Sequence, residues 1–241
     1  MSITGNLVLG PIGTVQASGY VDVSIHGFVG TLNIQVSAAA AVQDAWYEKA
    51  GYWHERFEQS FRQHLGVKYA VALPSCTSAI HLSLAALGVG PGDEVIVPSF
   101  TFVSTANAFA LRGARPVFCD IRPDTLNMDE RQLERLITPR TRAIVPVHYA
   151  GVGCEMDALR RVASDYDLRL IEDNAHGLFG RHGGRPLGTF GEMATLSFHE
   201  TKNFTCGEGG ALMINDASYI ERAEIIREKG TDRSKCHRGE I

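Results

Sequence analysis

Short apolar runs alternate with segments of helical periodicity along most of this chain. From residue 69 onward, runs rich in Val, Ile, Leu and Ala are separated by stretches whose apolar residues recur at helical spacing. This alternation predicts an α/β fold with a mostly parallel sheet and helices on both faces. The predicted strands are residues 69–73, 94–98, 116–121, 143–147, 169–171, 194–198 and 210–214. The predicted helices are residues 78–87, 104–112, 129–137, 156–166 and 219–229.

The pattern also predicts how the chain is organised at its two ends. Residues 1–45 are rich in Gly, Ala, Val, Ser and Thr without clear helix caps, and they are predicted to be a divergent segment of unknown role. Residues 46–241 are predicted to form the second part. Strands 194–198 and 210–214 have no helix between them, so one of the two should run antiparallel. Residues 230–241 are predicted to be a polar tail with no further helix or strand.

Composition excludes several classes of protein. The net charge is −4 with both signs interspersed, so no nucleic-acid or anionic-membrane surface is predicted. No apolar run reaches membrane-spanning length, and no Lys or Arg precedes the first apolar stretches as a secretory signal would require. The cysteines are scattered without a C-x-x-C pair, which indicates reduced thiols, a cytoplasmic location and no metal site; they are Cys76, Cys119, Cys154, Cys206 and Cys236.

Polar side chains follow two of the predicted strands at their carboxyl ends. Asp173 lies just after one strand, while Ser197 and Lys202 lie at the end of the other and just beyond it. Open α/β sheets bind ligands at this edge. Pyridoxal phosphate (PLP) requires a lysine that forms an imine, an aspartate that keeps the pyridine nitrogen protonated, and a hydroxyl near the phosphate. Each residue alone is more often a surface or turn residue, and their joint placement is what favours a PLP site.

A phosphate site is predicted where residues 74–79 join strand 69–73 to the next helix. Two small hydroxyl residues, Thr77 and Ser78, lie at the start of the predicted helix. There the free backbone N–H groups and the positive end of the helix dipole face the strand end, which favours a phosphate. Considered alone, either residue could be an ordinary N-cap. The segment Gly207-Glu208-Gly209-Gly210 also resembles a phosphate loop, but a strand follows it where such a loop would need a helix, so a turn is predicted there.

The segments around Asp173 and Lys202 resemble the DegT/StrS family of PLP-dependent sugar-nucleotide aminotransferases. The resemblance extends from about Arg56 to the last residue and is carried by Glu172-Asp173-Asn174-Ala175-His176 and Ser197-Phe198-His199-Glu200-Thr201-Lys202-Asn203. It implies the large domain of PLP-transferase fold type I. A branch of the family replaces the lysine with histidine and performs dehydration, and Lys202 argues against that outcome here.

The resemblance implies a role for each candidate residue. Lys202 and Asp173 would be catalytic, with Phe102 stacked on the pyridine ring and His176 beside that ring. Tyr149 and Asn203 would face the sugar. The residues implied to bind the cofactor are Thr77, Ser78, Phe102, Asp173, His176, Ser197 and Lys202.

The resemblance further implies the reaction and the partners. An amino group would pass from an amino acid to a nucleotide-linked 4-keto-6-deoxyhexose, for surface polysaccharide or amino-sugar synthesis. The expected donor is glutamate, and the expected nucleotide is dTDP. Family members are homodimers with a small C-terminal domain, and we expect this chain to lack that domain and to work poorly alone. The alternatives are another sugar-nucleotide aminotransferase, a more distant PLP enzyme such as a desulfurase or aldolase, and a truncated, inactive relative.

Overall fold

The computed structural model describes residues 52–237 and 239–241, together with short strands at 2–4, 8–9, 15–16, 21–24 and 32–34. The chain divides into two units, residues 1–56 and 57–241. In the first unit, β1 (Ser2–Thr4), β4 (Val21–Ser24) and β5 (Leu32–Ile34) form an antiparallel sheet. Strands β2 (Val8–Leu9) and β3 (Val15–Gln16) form a separate antiparallel pair. Most of the predicted divergent segment, residues 1–45, lies outside the described residues, and its boundary stays a prediction.

A seven-stranded sheet forms the centre of the second unit. Its order across the sheet is β6 (Tyr69–Leu73), β14 (Gly210–Ile214), β13 (Met193–Ser197), β10 (Arg169–Asp173), β9 (Thr141–Ile144), β7 (Glu94–Pro98) and β8 (Arg115–Cys119). Strand β14 pairs antiparallel with both of its neighbours, and the other pairs are parallel. The prediction of a mostly parallel sheet with one antiparallel strand among the last two is confirmed.

Helices cover both faces of this sheet. The main helices are α1 (Tyr52–Leu65), α2 (Cys76–Leu87), α3 (Val103–Leu111), α4 (Met156–Asp165) and α5 (Ile220–Arg227). Strand β7 shows the two-sided burial directly, because Val95 and Val97 pack into the core under α2 and α3, whereas Ile96 packs into the core under α4. A strand that is buried on both faces needs a continuous apolar run, and β7 has one. None of the helices in the described part of the chain is long and apolar enough to span a bilayer.

Two predictions about secondary structure are wrong. Residues 129–137 form two short 3-10 turns, Glu130–Gln132 and Glu134–Leu136, in place of an α-helix. The Asp129 carboxylate accepts the backbone N–H of Arg131 and tightens the first turn, and Pro139 disfavours helical geometry at the residue before it. The segment is therefore too short and too tightly capped for a regular helix.

The second error concerns the predicted polar tail. Residues 230–241 include a short helix, α6 (Arg233–His237). The carbonyl oxygen of Asp232 accepts the N–H of Lys235, and the Lys235 side chain reaches back to Glu221 on α5. Because this short helix is held by polar contacts, it has no apolar periodicity from which the sequence could predict it.

Candidate active site

Strands β10 and β13 are parallel neighbours, so their carboxyl ends meet at one edge of the sheet. Asp173 is the last residue of β10 and Ser197 is the last residue of β13. Asp173 pairs in register with Thr195 of β13. Both Asp173 and Ser197 are buried. This edge therefore carries the polar groups that the sequence predicted there.

Lys202 lies in the loop after β13 and points toward the end of β10. Its backbone N–H donates to the carbonyl oxygen of His199 at 2.9 Å, which closes a turn. Its Nζ lies 2.9 Å from Nε2 of His176. The sequence predicted Lys202 and His176 for one site, and the structure brings them into direct contact.

The His176 ring is held on a second side by the loop that follows β9. The backbone N–H of Ala150 donates to Nδ1 of His176 at 3.2 Å, and the Tyr149 ring meets the imidazole edge-on at 5.4 Å between centroids. Burial, followed by the neighbouring amine of Lys202, lowers the pKa of His176, and Asp173 acts in the opposite direction. Burial and a positive charge on Lys202 therefore both favour the uncharged imidazole.

Asp173 is oriented by hydrogen bonds to both oxygens of its carboxyl group. Thr105 Oγ1 donates to Oδ2 at 2.7 Å, and the backbone N–H of Ala175 donates to Oδ1 at 3.2 Å. Thr101 Oγ1 donates in turn to Thr105 Oγ1 at 3.0 Å. A carboxylate held in one orientation can pair with a cationic N–H group that approaches its oxygens.

The turn between β6 and α2 lies directly against β14. Gly210 allows this approach, because a Cβ built on it would lie 2.2 Å from the carbonyl carbon of Ser75. In register, Gly210 faces Leu73 on one side and Ser197 on the other. The start of α2 and the end of β13 therefore lie along one row across the sheet.

Ser75 caps helix α2, so the helix begins at Cys76, two residues earlier than predicted. Its Oγ accepts the N–H of Ser78 at 3.1 Å, and the Ser78 hydroxyl lies 3.0 Å from the same oxygen. Thr77 Oγ1 donates to Ser104 Oγ at 3.0 Å. Thr77 and Ser78 thus lie in the first turn of α2, where N–H groups without intrahelical partners favour an anion.

Cys76 connects this turn to the other polar groups. Its Sγ donates to Thr195 Oγ1 at 3.4 Å. Burial raises the pKa of the Cys76 thiol, Asp173 raises it further and Lys202 lowers it. Cys76 at the start of α2 therefore lies close enough to Asp173 and Lys202 for the charge of each to act on its thiol.

The remaining predicted residues lie around this group. Phe102 is 72% exposed at the N-cap of α3, which leaves its ring free to meet a ligand. Tyr149 packs its ring 4.5 Å from that of Phe100 as well as against His176. Asn203, next to Lys202, is exposed. Ser197 Oγ accepts the N–H of His199 at 3.5 Å and keeps its own proton to donate.

The sequence reasoning missed several residues that shape the site. Thr105 orients Asp173, Ala150 contacts His176 through its backbone, and Ser75 and Gly210 set the turn at the start of α2. Thr105 could have been predicted from the sequence, because Thr101 and Thr105 are one helical turn apart and flank Phe102, the residue predicted to stack on the ring. A backbone contact such as that of Ala150 leaves no signal in the residue type.

Next to Asp173 on β10, Glu172 forms a buried ion pair with His148. Glu172 accepts backbone N–H groups from Gly188, Phe190 and Gly191, and it lies 2.9 Å from Nε2 of His148. These bonds fix the loop that follows the hairpin of β11 (Arg181–His182) and β12 (Arg185–Pro186) against the strand that carries Asp173. Within the described residues, no group of three or more His, Cys, Asp or Glu side chains could hold a metal ion.

The fold and the site together define the large domain of a fold type I PLP-dependent transferase. The sequence profile of the DegT/DnrJ/EryC1/StrS aminotransferase family matches residues 31–240. This chain belongs to that family.

Two curated relatives show how much of a longer protein this chain matches. It is 42% identical over 197 residues to the spore coat polysaccharide biosynthesis protein SpsC of Bacillus subtilis, covering 82% of this chain and 50% of that protein. It is 43% identical over 187 residues to GDP-perosamine synthase of Caulobacter vibrioides, covering 78% of this chain and 50% of that protein. The chain therefore spans about half the length of these relatives.

Solved structures give the same picture. DesI, crystallised in the presence of its TDP-sugar product, superposes with a TM-score of 0.75 at 39% identity, over 80% of this chain and 49% of that one. NtdA of Bacillus subtilis with bound cofactor PMP superposes with a TM-score of 0.68 at 37% identity, over 72% of this chain and 39% of that one. At these identities the similarity extends beyond fold to the family.

Proposed function

We propose that this chain carries the PLP-binding part of an aminotransferase that transfers an amino group from an amino acid to a nucleotide-linked keto-sugar. The observation that supports this most directly is the contact between Lys202 and His176 at the strand edge that also bears Asp173. Family membership and the PMP-bound and TDP-sugar-bound relatives support the same reaction class.

The residues present fit PLP by the chemistry of their donor and acceptor groups. The start of α2 offers N–H groups and the hydroxyls of Thr77 and Ser78 for a phosphate, and Ser197 contributes a further hydroxyl nearby. The Asp173 carboxylate suits a protonated pyridine nitrogen, and the exposed Phe102 ring suits an aromatic face. Lys202 supplies the primary amine.

The proposed chemistry of this chain consists of proton control and orientation. PLP, when bound, supplies an aldehyde carbon and a ring that withdraws electrons from the substrate. Lys202 Nζ would hold the cofactor covalently, and its free amine would move a proton at the α-carbon of the amino donor. Asp173 would keep a proton on the ring nitrogen through its oriented carboxylate. His176 would donate a hydrogen bond beside the ring.

The finer substrate assignment is also a proposal. Within the family, the segments 98–109, 145–151 and 199–203 favour a dTDP-4-amino-4,6-dideoxygalactose transaminase, with glutamate as donor and a role in surface polysaccharide synthesis. Tyr149 and Asn203 are proposed to face the sugar. The alternatives are a different nucleotide sugar and an inactive relative. For the whole protein, we propose a cytoplasmic homodimer.

Borohydride reduction of the purified protein with PLP tests the first step. The label is expected on a peptide that contains Lys202, and Lys202→Ala is expected to lose the covalent label while phosphate-dependent binding persists. A label on another lysine would refute the assignment.

Amination measured in single turnover tests the rest of the reaction. PLP-loaded protein mixed with glutamate should convert to the pyridoxamine form, and it should then aminate a dTDP-4-keto-6-deoxyhexose. Conversion with glutamate but not with that sugar would favour another nucleotide sugar. Because the chain spans about half the length of its relatives, the same assay is repeated after fusion to the C-terminal half of a family member, and no conversion there either would favour an inactive relative.

A further inference from the structure

Ala150 stands in an unusual backbone conformation beside the candidate lysine. In the Tyr149–Gly151 turn, Ala150 has φ 52° and ψ 20°, which is the left-handed region that residues other than glycine rarely adopt. Gly151 follows with φ 83°, and a Cβ there would lie 3.2 Å from the carbonyl oxygen of His176. This strained turn therefore lies directly against the residue that contacts Lys202.

The turn presents one N–H group to the imidazole. Ala150 N–H donates to Nδ1 of His176 at 3.2 Å, so Nδ1 must keep its lone pair. A neutral imidazole has one proton, which must then be on Nε2. In the opposite tautomer, the proton on Nδ1 would clash with the proton of the Ala150 N–H group.

The position of the proton on His176 determines which form of Lys202 fits. Nε2 lies 2.9 Å from Lys202 Nζ. A protonated Nε2 is a donor, so Nζ must supply a lone pair, and only the uncharged amine has one. An ammonium group would place hydrogen atoms on both sides of this contact.

We infer that the backbone N–H of Ala150 fixes His176 in the Nε2-protonated tautomer, and that His176 thereby selects the uncharged, nucleophilic form of Lys202. Ala150 and His176 are positioning residues in this scheme. The titratable groups beside the ring are Asp173, whose carboxylate raises the pKa of His176, and Lys202, whose charged form lowers it; the Tyr149 ring packs against the edge of the imidazole. Burial also disfavours a second proton on the ring.

The consequence for chemistry is a lysine ready to react with an aldehyde. Condensation forms a bond between Nζ and the aldehyde carbon, and the carbonyl oxygen leaves as water with the two amine protons. No oxidant or reductant is needed. This consequence rests on the proposed function, whereas the tautomer itself can be measured without cofactor or substrate.

NMR of the full chain with isotope-labelled histidine tests the tautomer directly. The His176→Gln spectrum identifies which ring signals belong to His176. At neutral pH, we expect Nε2 protonated and Nδ1 unprotonated. A ring protonated at Nδ1 or at both nitrogens would overturn the inference.

Two variants of the turn test the role of the Ala150 N–H. An amide-to-ester replacement at residue 150 exchanges that N–H for an oxygen and should turn His176 into a mixture of tautomers. Ala150→Gly keeps the N–H and relieves the left-handed backbone, so the Nε2 tautomer should remain. An ester variant that retains the pure Nε2 tautomer would show that the turn does not control it.

The effect on Lys202 is measured by the rate at which PLP becomes attached. At neutral pH, His176→Phe removes the donor, and covalent attachment trapped by borohydride should slow about tenfold. His176→Gln keeps an N–H donor and should attach PLP faster than His176→Phe does. His54→Phe, at an exposed position on α1, is the control that should keep the parent rate. Equal rates in the parent and the Phe variant would overturn the link to Lys202, even if PLP still binds.

Discussion

Thr105 Oγ1 lies 2.7 Å from Asp173 Oδ2, although the two residues are 68 positions apart in the chain. The Thr101 hydroxyl donates to the Thr105 hydroxyl, which leaves the Thr105 proton free to point at the carboxylate. The orientation of the predicted ring-nitrogen partner is thus set from helix α3, a different element from the strand that bears it.

Thr105→Val should lower the free energy of unfolding by about 1–3 kcal/mol, because it leaves a buried carboxylate without one donor. Thr105→Ser keeps the hydroxyl and is the matched control. Urea unfolding of both variants measures the difference. Equal stability of the Val and Ser variants would show that the hydroxyl contributes nothing.

Asp173→Asn should slow the half-reaction with glutamate by orders of magnitude, since the neutral amide no longer holds a proton on the ring nitrogen. The shape of the side chain is nearly unchanged. Stopped-flow absorbance of PLP-loaded protein gives the rate. Asp165→Asn, exposed at the end of α4, controls for the substitution itself. Near-normal rates in Asp173→Asn would assign Asp173 a structural role.

Gly210→Ala should destabilise the protein by about 3 kcal/mol or more, because the new methyl group meets backbone atoms that cannot move independently. The added Cβ would lie 2.2–2.5 Å from atoms of Ser75 and Cys76. Thermal unfolding followed by circular dichroism measures the loss. Gly90→Ala is the control, because its nearest neighbour would be Arg112 O at 4.0 Å. Similar melting curves for the two variants would contradict this account of the turn.

Phe102→Ala should weaken PLP binding by about tenfold, through the loss of one aromatic face. Absorbance titration with PLP gives the dissociation constant. Leu111→Ala, at an exposed position on the same helix, should bind PLP as the parent does. An unchanged affinity in Phe102→Ala would remove this residue from the proposed site.

Asp129 should make stability depend on pH. Its hydrogen bond and charge contact with Arg131, aided by Gln132, lower the pKa of Asp129 to about 2. A carboxylate with a lowered folded-state pKa stabilises the fold above its unfolded pKa of about 3.9, and that stability is lost as pH falls toward 2. Asp129→Asn should therefore be less stable than the parent at neutral pH and similar to it near pH 2. Urea unfolding across this range checks the trend, and a constant difference at every pH would contradict it.

Strand positions could be predicted well because the strands of a sheet covered by helices on both faces are short, continuous apolar runs. The predicted bounds match the structure at β6, β7 and β14. The error at residues 129–137 arose because apolar spacing alone does not distinguish a helix from two capped 3-10 turns. There Leu133 is buried as a helix residue would be, although the backbone around it is not α-helical.

The site could be predicted only where side-chain chemistry defines it. Lys202 and His176 were grouped by residue type and motif, and their contact follows from adjacent strand ends. The N–H of Ala150 was beyond reach, because alanine gives no signal for a left-handed backbone. Gly210 was seen only as part of a turn, since its close approach to Ser75 depends on the pairing of β14 with β6.

That pairing has a consequence for the order in which the chain can fold during synthesis. Among the described strands, β6 pairs with β14 alone, and residues 69–73 meet residues 210–214. A ribosome must therefore release almost all of the chain described before the first strand of this sheet can be incorporated. Until then the turn at Ser75 cannot pack against Gly210, so the predicted phosphate site at residues 74–79 is among the last features to form. Cofactor capture should consequently follow completion of the sheet, and a nascent chain stalled before residue 210 should bind no PLP.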